Sequence, residues 1–561
     1  MASYNLIIKF SLSSIYLLDY NNIFKQLSIL LFFSMTAKKP FLSRTVAVIA
    51  DLSLDEQIYL YEKTRQLKQA LQQKDQSILN QFRINDPDLG IYEVFLEDST
   101  RTKESFRNAA EFHRARTKIF DATHSSFNKQ ESYSDAFNML IGYENAIFVI
   151  RSKLEGVCRW LEYSGMQYAS RMGLPFIPAF VNAGDGKHEH PTQELLDEFS
   201  FLEDNQWDRS HIHIALVGDL FHGRTTHSKV DGLKLFREVE VDLVAPPELE
   251  MPAHYIERMK SNGFQVRVYH SVREYLAQKH VATKFYFGRA QLERMGEDVL
   301  RRQAEFLSAI DITEEDILKL PHGTGFYHPL PRNKEHPIPH YSFDNSPYNR
   351  YEPQSRNGWL VRIILTGGIA GVLIIGQDFE GQPLQKPTYI DDFIEEVVPH
   401  QQTKDYAEGI KPLSEGIVID HICKGETDKE IREHMARIIQ VIGLYGRGGE
   451  WVSASKNQPG KYKGIIFRPG YQEPDERQTK KIAAVAPGCT LNIVHDGRVV
   501  KKLRLNMPPR IYGFDEISCK NEDCISNPQH HEGVPAEFYR EGGAFVCRYC
   551  ESPHTFKQVW D

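Results

Sequence analysis

The stretch FLEDSTRTKESFRNAAEF, residues 95–112, places three hydroxyl side chains and an arginine where a strand gives way to a helix. The preceding IYEVFLE (91–97) is an apolar run typical of a buried strand, and Phe106 and Ala110 recur at helical spacing. A helix N-terminus has unpaired N–H groups and a positive dipole end, so it binds anions. Residues 99–102 therefore predict a phosphate site, with an ordinary Ser/Thr cap and a surface arginine as the alternative.

Composition and charge narrow the class of protein. The chain has 561 residues, of which 41% are hydrophobic and 25% charged, values typical of several globular domains joined in one chain. The net charge of -8 gives no support for nucleic acid or an anionic membrane as a partner. Seven cysteines are too few for a disulfide scaffold and indicate free thiols in a reducing, cytoplasmic compartment.

The N-terminal segment is rich in apolar side chains but holds only short runs, interrupted by Lys9, Asp19 and Lys25. Neither run reaches the ~18 apolar residues that a membrane span requires. We interpret residues 1–40 as an extension that is disordered or not native, with the working start at Met35. A secretory signal is the alternative.

Short apolar runs alternate with amphipathic stretches from residue 46 onward, which predicts an α/β fold of parallel sheets covered by helices on both faces. A helix capped by Asp51 or Ser53 is expected after the first run. A Gly-rich apolar helix, WLVRIILTGGIAGVLII (359–375), closes the region. The expected strands are VAVIAD (46–51), IYEVFLE (91–97), AIFVIR (146–151), PFIPAFVNAG (175–184), HIHIALVGD (211–219), EVDLVAP (240–246) and TKFYFGR (283–289).

A break in composition follows at residues 376–409, where Gly, Pro and charged residues predict a linker. After it, the runs EGIVIDHI (415–422), ARIIQVIGLY (436–445) and KGIIFRP (463–469) indicate strands of an α+β module. From about Pro508 the chain is rich in loops and holds four of its cysteines.

These four cysteines are spaced as Cys-x4-Cys, 22 intervening residues and Cys-x2-Cys. Four thiolates without an open position are typical of a structural, tetrahedral zinc site, so we predict one Zn²⁺ per chain with no part in catalysis. Four unrelated cysteines and a nucleic-acid-binding ribbon are the alternatives, but the surrounding residues lack the basic patch that nucleic acid requires. The predicted ligands are Cys519, Cys524, Cys547 and Cys550.

Four further motifs place polar side chains at strand ends or helix starts. HPTQ (190–193) opens a helix with proline in its first turn, where a neutral imidazole can donate to a carbonyl oxygen; a capping histidine is the alternative. GDLFHGRTTHS (218–228) nearly matches a P-loop, but Arg224 replaces the lysine and suits a carboxylate better. The other two are FGRAQLER (287–294), after a strand, and HPLPR (328–332), whose prolines leave carbonyl groups free to accept.

Together and in this order, the motifs of residues 41–376 resemble the aspartate/ornithine carbamoyltransferase family. The resemblance rests on residues 99–102, the loop SSFNKQES (125–132), Arg151 after its strand, and the four motifs above. Ornithine enzymes of the family carry a Ser-Met-Gly loop and a His-Cys-Leu-Pro motif, neither of which occurs here. The resemblance therefore implies a dicarboxylic amino acid as acceptor, held by two guanidinium groups.

The resemblance implies transfer of the carbamoyl group from carbamoyl phosphate to the α-amine of L-aspartate, giving N-carbamoyl-L-aspartate and phosphate for pyrimidine biosynthesis. A carbamoyltransferase for another amino acid and a non-catalytic scaffold are the alternatives. The implied catalytic residues are Arg101, Thr102, Lys129, Arg151 and His190. Carbamoyl phosphate is expected to contact Ser99, Thr100, Arg101, Thr102, Ser125, Arg151, His190, Gln193, Pro329 and Leu330, and aspartate to contact Lys129, Arg224, Arg289 and Gln291.

The C-terminal part resembles the regulatory chain of bacterial aspartate carbamoyltransferase. The implied domains are a carbamoyl-phosphate-binding domain (41–190, completed by helix 346–376), an aspartate-binding domain (191–345), a linker (377–409), a regulatory nucleotide-binding-like α+β domain (410–510) and a small zinc-binding β domain (511–561).

The regulatory resemblance implies nucleotide effectors, with Asp420, His421 and Lys502 as candidate contacts. A second lysine of the family's effector site falls on Ile466, where an apolar side chain cannot hold a phosphate. The stretch KYK (461–463) lies close by and offers two replacements.

The resemblance also implies an oligomer. Ser125 and Lys129 are expected to reach into the active site of a neighbouring subunit, which requires a trimer with shared sites. Regulatory domains are expected to bridge two such trimers. Neither nucleic acid nor a membrane is expected as a partner.

Overall fold

The computed structural model describes residues 39–120, 129–289, 303–372, 374–385, 393–399, 413–422, 427–454 and 461–560. The chain divides into two units, Met1–Lys153 with Leu161–Leu384 and Leu154–Trp160 with Gln385–Asp561. Nearly all of the predicted N-terminal extension lies outside the described residues. In the described ranges, every helix is too short or too polar to cross a lipid bilayer.

The first sheet of the first unit consists of β1 (Gly90–Phe95), β2 (Arg116–Ile119), β3 (Ile147–Ser152) and β4 (Ala179–Asp185). Its order is β2-β1-β3-β4, and all neighbours are parallel. β4 is buried along its whole length, as expected of a parallel strand covered on both faces. The accompanying helices are α1 (Leu54–Gln73), α2 (Gln76–Gln81), α3 (Thr100–His113), α4 (Tyr133–Gly142) and α5 (Val157–Met172).

The second sheet consists of β5 (His211–Val217), β6 (Glu238–Val244), β7 (Gln265–Tyr269), β8 (Lys284–Phe287) and β9 (Gly325–Tyr327). It has the order β7-β6-β5-β8-β9 and is also parallel throughout. The predicted α/β class is thus confirmed for this unit. The helices of this half are α6 (Pro191–Asp204), α7 (Arg224–His227), α8 (Lys229–Gly232), α9 (Ala253–Ser261), α10 (Val272–Leu276) and α11 (Gln303–Ile310).

The run VAVIAD (46–51) does not form the predicted strand. Val46 makes an isolated bridge to Val181, and a 3-10 turn follows at Ile49–Asp51. The carboxylate of Asp51 accepts hydrogen bonds from two preceding backbone N–H groups, at 2.8 and 3.1 Å. Because a side chain satisfies these donors, the backbone turns instead of pairing with a strand, an outcome that apolar patterning does not reveal.

A long helix, α12 (Tyr351–Ile369), closes the first unit and packs against α1, α3 and α6. It is shorter than the predicted span of 346–376. The carbonyl oxygen of Ile363 accepts a hydrogen bond from Nε2 of buried His113 on α3, at 2.8 Å. Nδ2 of Asn357 donates to Oγ of Ser200 on α6, at 2.9 Å. This helix therefore joins the helices of both sheets.

The larger sheet of the second unit consists of β10 (Ile394–Glu396), β11 (Gly416–Ile422), β12 (Gly449–Ala454), β13 (Tyr462–Pro469), β14 (Thr490–His495) and β15 (Arg498–Leu505). It is antiparallel, with the order β10-β15-β14-β11-β13-β12. Its edge strand β10 lies within the stretch predicted as a linker. Its helices are α13 (Asp428–Ile442) and α14 (Glu476–Val485).

The run ARIIQVIGLY (436–445), predicted as a strand, lies mostly in α13. Thr427 starts this helix with a capping box, and the buried side chains Ile431, Met435 and Ile438 fall at helical spacing. The prediction was wrong because the apolar run was taken without the polar turn before it, which carries the helix start signal.

The last sheet is small and antiparallel. It consists of β16 (Arg510–Tyr512), β17 (Glu537–Glu541), β18 (Ala544–Cys547) and β19 (Pro553–His554), in sequential order, followed by α15 (Phe556–Trp560).

Candidate active site

The predicted phosphate-binding turn follows β1, where α3 begins. Ser99 is the N-cap residue, and its side chain makes no capping hydrogen bond to the helix. By contrast, the Ser53 hydroxyl caps α1 by accepting a backbone N–H at 3.1 Å. Thr100 and Arg101 are exposed, whereas Thr102 is buried. The start of α3 therefore keeps its N–H groups open to an anion.

His190 occupies the N-cap of α6 and is 4% exposed. Its Nε2 lies 3.4 Å from Oγ1 of Thr102, so the starts of α6 and α3 meet. Burial lowers the pKa of His190 well below its ordinary value, and the guanidinium charges of Arg362, Arg151 and Arg224 lower this pKa further. The imidazole is therefore neutral near pH 7 and carries one N–H that can donate to an oxygen atom.

Glu97 joins two of these arginines. Its Oε2 lies 2.9 Å from a guanidinium nitrogen of Arg151 and 3.0 Å from one of Arg224. Arg151 also donates to the carbonyl oxygen of Ala183, at 3.1 Å. Arg224 donates to that of Gly186, at 3.0 Å. Two guanidinium groups thus converge beyond the carboxyl ends of parallel strands, where α/β sheets bind ligands, and can hold a carboxylate.

The backbone passes between these arginines at Gly184, whose φ is +111°. A Cβ added there would lie 2.9 Å from Nη1 of Arg151 and 3.2 Å from Cζ of Arg224. Both the backbone conformation and the close approach of the two side chains therefore require glycine at this position.

The loop of residues 328–332 is held by hydrogen bonds to itself and to α12. The backbone N–H of His328 donates to Oε1 of Gln354, at 3.0 Å. The N–H of Leu330 donates to Nδ1 of His328, at 2.7 Å. Leu330 has φ of +55°, which is uncommon for a residue other than glycine, so these contacts fix a backbone shape that the residue alone disfavours.

His328 also locates two exposed arginines. Burial lowers the pKa of His328 to about 3, and the charges of Arg332, Arg101 and Arg289 lower this pKa as well. Because charge effects weaken with distance, Arg101 from α3 and Arg289 from the end of β8 lie near the same loop. A predicted phosphate ligand and a predicted aspartate ligand therefore both lie within electrostatic range of His328.

Several supporting side chains were missed by the sequence analysis. Nε2 of Gln193 donates to Oδ1 of Asp197, at 2.8 Å. Arg362 donates to Oγ1 of Thr192 at 3.3 Å and to Oγ of Ser105 at 2.9 Å. Burial lowers the pKa of Arg362 to about 10, which leaves it charged near pH 7. The available signal was an arginine within the apolar run WLVRIIL (359–365).

The other predicted site residues are placed as follows. Lys129 is exposed, and Pro329 and Leu330 are half-buried. Ser125 and Gln291 lie outside the described residues. The roles of Lys129, Ser125 and Gln291 therefore stay predictions.

The four predicted metal ligands of the second unit form a buried cluster, which we call the four-cysteine cluster (Cys519, Cys524, Cys547 and Cys550). The Sγ atoms of Cys519 and Cys550 lie 3.7 Å apart, and those of Cys524 and Cys547 lie 3.8 Å apart. A tetrahedral site with metal–sulfur bonds of ~2.3 Å places its sulfur atoms about 3.8 Å apart. The cluster therefore fits a tetrahedral metal ion.

A second group of potential metal ligands lies on and beside the second sheet of the first unit, but an arginine already binds it. His213, Glu240 and His280 are close enough to share an ion. Arg267, however, donates to a carboxylate oxygen of Glu240 at 2.8 Å and lies 2.9 Å from Nε2 of His213. Since a guanidinium group already supplies the positive charge, we assign no metal to this group.

The predicted effector residues lie on the larger sheet of the second unit. Nζ of Lys463 lies 3.2 Å from Oδ1 of Asp420, next to His421. Ile466 is 1% exposed and therefore cannot contact a nucleotide. Lys502 is half-buried on β15. Lys463 thus offers a positive charge that Ile466 does not.

Comparison with protein-family models gives three matches along the chain. Residues 44–203 match the carbamoyl-P binding domain of the aspartate/ornithine carbamoyltransferases. Residues 408–506 match the allosteric domain of the aspartate carbamoyltransferase regulatory chain, and residues 509–560 match its metal binding domain. The four-cysteine cluster lies within the last of these matches.

Curated relatives match nearly the whole chain. Protein PyrBI of Treponema denticola is 54% identical over 529 residues, covering 93% of this chain and 98% of the relative. Protein PyrBI of Thermotoga maritima is 50% identical over 532 residues, covering 93% and 99%. The chain belongs to the aspartate carbamoyltransferase family. Within this family, it carries a carbamoyltransferase domain, a regulatory domain and a metal-binding domain together, which confirms the resemblance read from the motifs.

Solved structures of the aspartate carbamoyltransferase family share the fold. Aspartate transcarbamoylase from Trypanosoma cruzi in complex with carbamoyl phosphate is 25% identical, with a TM-score of 0.51, and the match covers 59% of this chain and 97% of that chain. The same enzyme in complex with carbamoyl phosphate and aspartate is 26% identical, with a TM-score of 0.50, covering 59% and 98%.

Proposed function

We propose that the first unit transfers the carbamoyl group of carbamoyl phosphate to the α-amine of L-aspartate in pyrimidine biosynthesis. The observation that carries this proposal is the convergence of Thr102, His190, Arg151 and Arg224 beyond the ends of parallel strands. These side chains supply hydrogen-bond donors and positive charge, which suit a direct transfer between two bound substrates. Proximity and electrostatic stabilisation then provide most of the acceleration.

The phosphate group is bound at the start of α3. The donors available there are the uncapped N–H groups, the hydroxyls of Ser99 and Thr100, and the exposed guanidinium of Arg101. Phosphate accepts many hydrogen bonds and favours the positive end of a helix dipole. This end of the site therefore fixes the donor substrate.

The carbonyl oxygen of the carbamoyl group accepts from Thr102, Arg151 and His190. When the amine attacks, the N–C bond forms and this oxygen gains negative charge, which the three donors stabilise. The C–O bond to phosphate then breaks. A neutral His190 with a lowered pKa is a weak base, so we assign the proton lost by the amine to the departing phosphate.

Aspartate is bound by guanidinium groups. Arg224 and Arg289 hold its two carboxylates, aided by Lys129 from a neighbouring subunit and by Gln291. In the structure, the carboxylate of Glu97 pairs with Arg224, which is proposed to hold aspartate, and with Arg151, which is proposed to hold the carbamoyl oxygen. Substrate anions therefore exchange with an internal carboxylate, and the site is not left with two unpaired cations in the absence of substrate.

Gly184→Ala is expected to lower kcat/KM about tenfold to a hundredfold, because the new methyl group moves two substrate-binding guanidinium groups. Steady-state kinetics with each substrate varied in turn measures the effect. Gly263→Ala is the matched control, since Gly263 also has positive φ but has no atom within 4 Å of an added Cβ. Equal losses of kcat/KM in both variants would show that backbone strain, not the position of the arginines, causes the effect.

The choice of acceptor tests the proposed function. Aspartate is expected to be carbamoylated and ornithine is not. Arg289→Ala should raise the KM for aspartate about a hundredfold, since a bidentate contact to a carboxylate is lost, and change the KM for carbamoyl phosphate less than about threefold. Arg273→Ala removes another exposed arginine of the same half and should change neither constant. Equal turnover of ornithine and aspartate by the unaltered protein would refute the assignment.

For the second unit, we propose that the metal is zinc and that its role is structural. Four thiolates leave no open coordination position for a substrate, and zinc bound in this way supplies folding energy. A reducing cytoplasm would keep the thiols available.

We also propose that nucleotides bind to the second unit, beside Asp420, His421, Lys463 and Lys502. The chain is further proposed to form trimers, which regulatory domains bridge in pairs.

A further inference from the structure

Charged side chains are buried together in the first unit, between α6 and α8. Glu194, Asp197, Glu198 and Lys229 are all 0% exposed. Nζ of Lys229 donates to Oε2 of Glu194 at 2.5 Å and to Oδ2 of Asp197 at 2.8 Å. Burial raises the pKa of Glu198 well above its ordinary value, and the negative charge of neighbouring Glu194 raises it further.

Asp197 receives two further hydrogen bonds, both on Oδ1. The donors are Nε2 of Gln193, at 2.8 Å, and Nε2 of Gln354, at 2.5 Å. With the ammonium group of Lys229 on Oδ2, three N–H donors converge on this carboxylate. The set matches an ionised carboxylate, which accepts hydrogen bonds and donates none.

A carboxylate that only accepts hydrogen bonds determines which end of a neighbouring amide group faces it. A glutamine amide has an NH2 end that donates and an oxygen end that accepts, and the two ends have nearly the same shape. Because Asp197 binds the NH2 end of Gln193, the oxygen of Gln193 remains available as an acceptor. In the same way, the oxygen of Gln354 faces away from Asp197 and accepts from the backbone N–H of His328.

Both amide side chains, of Gln193 and Gln354, support the proposed contacts to the carbamoyl NH2 group. The carbamoyl NH2 is a donor, and under the proposed function it is held by the oxygen of Gln193 and by the carbonyl groups of Pro329 and Leu330. Gln354 supports that loop through His328, whose Nδ1 in turn accepts from the N–H of Leu330. Asp197 is therefore bonded to one contact directly and to the other through a short chain of hydrogen bonds.

We propose that Asp197 is a positioning residue that makes the site accept the carbamoyl NH2, by turning the Gln193 and Gln354 amides so that their oxygens face outward. This proposal rests on the proposed roles of Gln193 and of the loop at residues 328–332. It extends them by assigning the recognition of NH2, as distinct from phosphate, to a buried carboxylate that touches neither substrate. The ammonium group of Lys229 binds the other oxygen of this carboxylate.

The test compares ligands that share the phosphate and differ in the NH2. Carbamoyl phosphate is the substrate, while acetyl phosphate, which has a methyl group in place of NH2, and inorganic phosphate serve as competitive inhibitors. Asp197→Asn preserves the volume but can donate to the oxygen of Gln193 and reverse the amide. We expect the KM for carbamoyl phosphate to rise about tenfold to a hundredfold, and both inhibition constants to stay within about threefold.

Two reference variants make the outcome decisive. Glu198→Gln changes a neighbouring buried carboxyl group on the same helix, and all three constants should remain as in the unaltered protein. Gln193→Ala removes the proposed NH2 contact itself. It should raise the ratio of the KM for carbamoyl phosphate to the two inhibition constants, as Asp197→Asn is expected to do. If Gln193→Ala leaves that ratio unchanged, the proposed role of Gln193 fails; if it shifts the ratio and Asp197→Asn does not, the positioning role of Asp197 fails.

A purely structural role gives a different pattern. If Asp197→Asn weakens all three ligands equally, the carboxylate only maintains the fold, and the proposal is overturned. If this variant does not fold, as judged by circular dichroism, Gln354→Leu replaces it. Gln354→Leu leaves the Asp197–Gln193 contact in place, so it should raise the KM for carbamoyl phosphate severalfold with unchanged inhibition constants; an unchanged KM would overturn the proposal.

Discussion

Chains carrying Arg101→Ala and chains carrying Lys129→Ala are each expected to be nearly inactive, and mixtures of the two are expected to regain activity after dissociation and reassembly. Arg101 lies near His328 within its own site, whereas Lys129 is proposed to complete the site of a neighbouring subunit. Each positive charge stabilises the transition state, so each variant alone should lose about 10²–10³ in kcat.

Mixed trimers distinguish a shared site from an unshared one. In a ring of three subunits with sites at the interfaces, every mixed trimer contains one interface where both Arg101 and Lys129 are intact. Random reassembly of equal amounts should therefore recover about a quarter of the unaltered activity. Native mass spectrometry verifies the mixing, and Lys260→Ala, at another exposed lysine, should remain fully active. No recovery in verified mixed trimers would place Lys129 in the site of its own chain.

Loss of the metal is expected to break the larger assembly and leave the reaction intact. The four-cysteine cluster lies in the second unit, and the proposed catalytic residues lie in the first. Apparent binding free energies of structural zinc reach about 10 kcal/mol or more in small domains, so Cys547→Ala should unfold the metal-binding domain. If that domain bridges trimers, the product is an active trimer that no longer responds to nucleotides.

Light scattering and activity are measured on one sample before and after thiol-specific release of the bound metal. Cys489→Ala is the matched control, because Cys489 is a buried cysteine of the second unit outside the cluster, and this variant should keep the larger assembly. If activity disappears while the trimer remains folded, the metal belongs to the catalytic machinery and the structural role is wrong.

Local sequence patterns were sufficient for much of the fold. Buried parallel strands are rich in apolar residues, so β3 stands out as a run of Ile, Phe and Val, and β5 stands out by its last four residues. The cap of α1 was predicted at Asp51 or Ser53, and it is Ser53, whose signal lies within one helical turn. The same local signal before α13 was overlooked, and a helix was taken for a strand.

Interactions between distant residues could not be predicted in this way. Glu97 meets Arg224 across 127 positions of the chain, and Asp197 meets Gln354 across 157. Glu97 and Asp197 lie beside recognised motifs, but the sequence does not show that either carboxylate is paired with residues far along the chain. The motif residues were recognisable because each group of ligands is clustered within a few positions, whereas the residues that support them are brought in by the tertiary fold.

The position of α12 at the end of the first unit has a consequence for protein synthesis. During translation, α1 and α3 emerge from the ribosome early. The helix that packs against them, α12, ends at Ile369, more than 250 residues after His113. At ~5–20 residues per second, this delay is about 10 to 50 s. Through that interval the nascent chain exposes apolar surface on both helices, so the newly made half-domain is a natural client for chaperones until translation delivers its final helix.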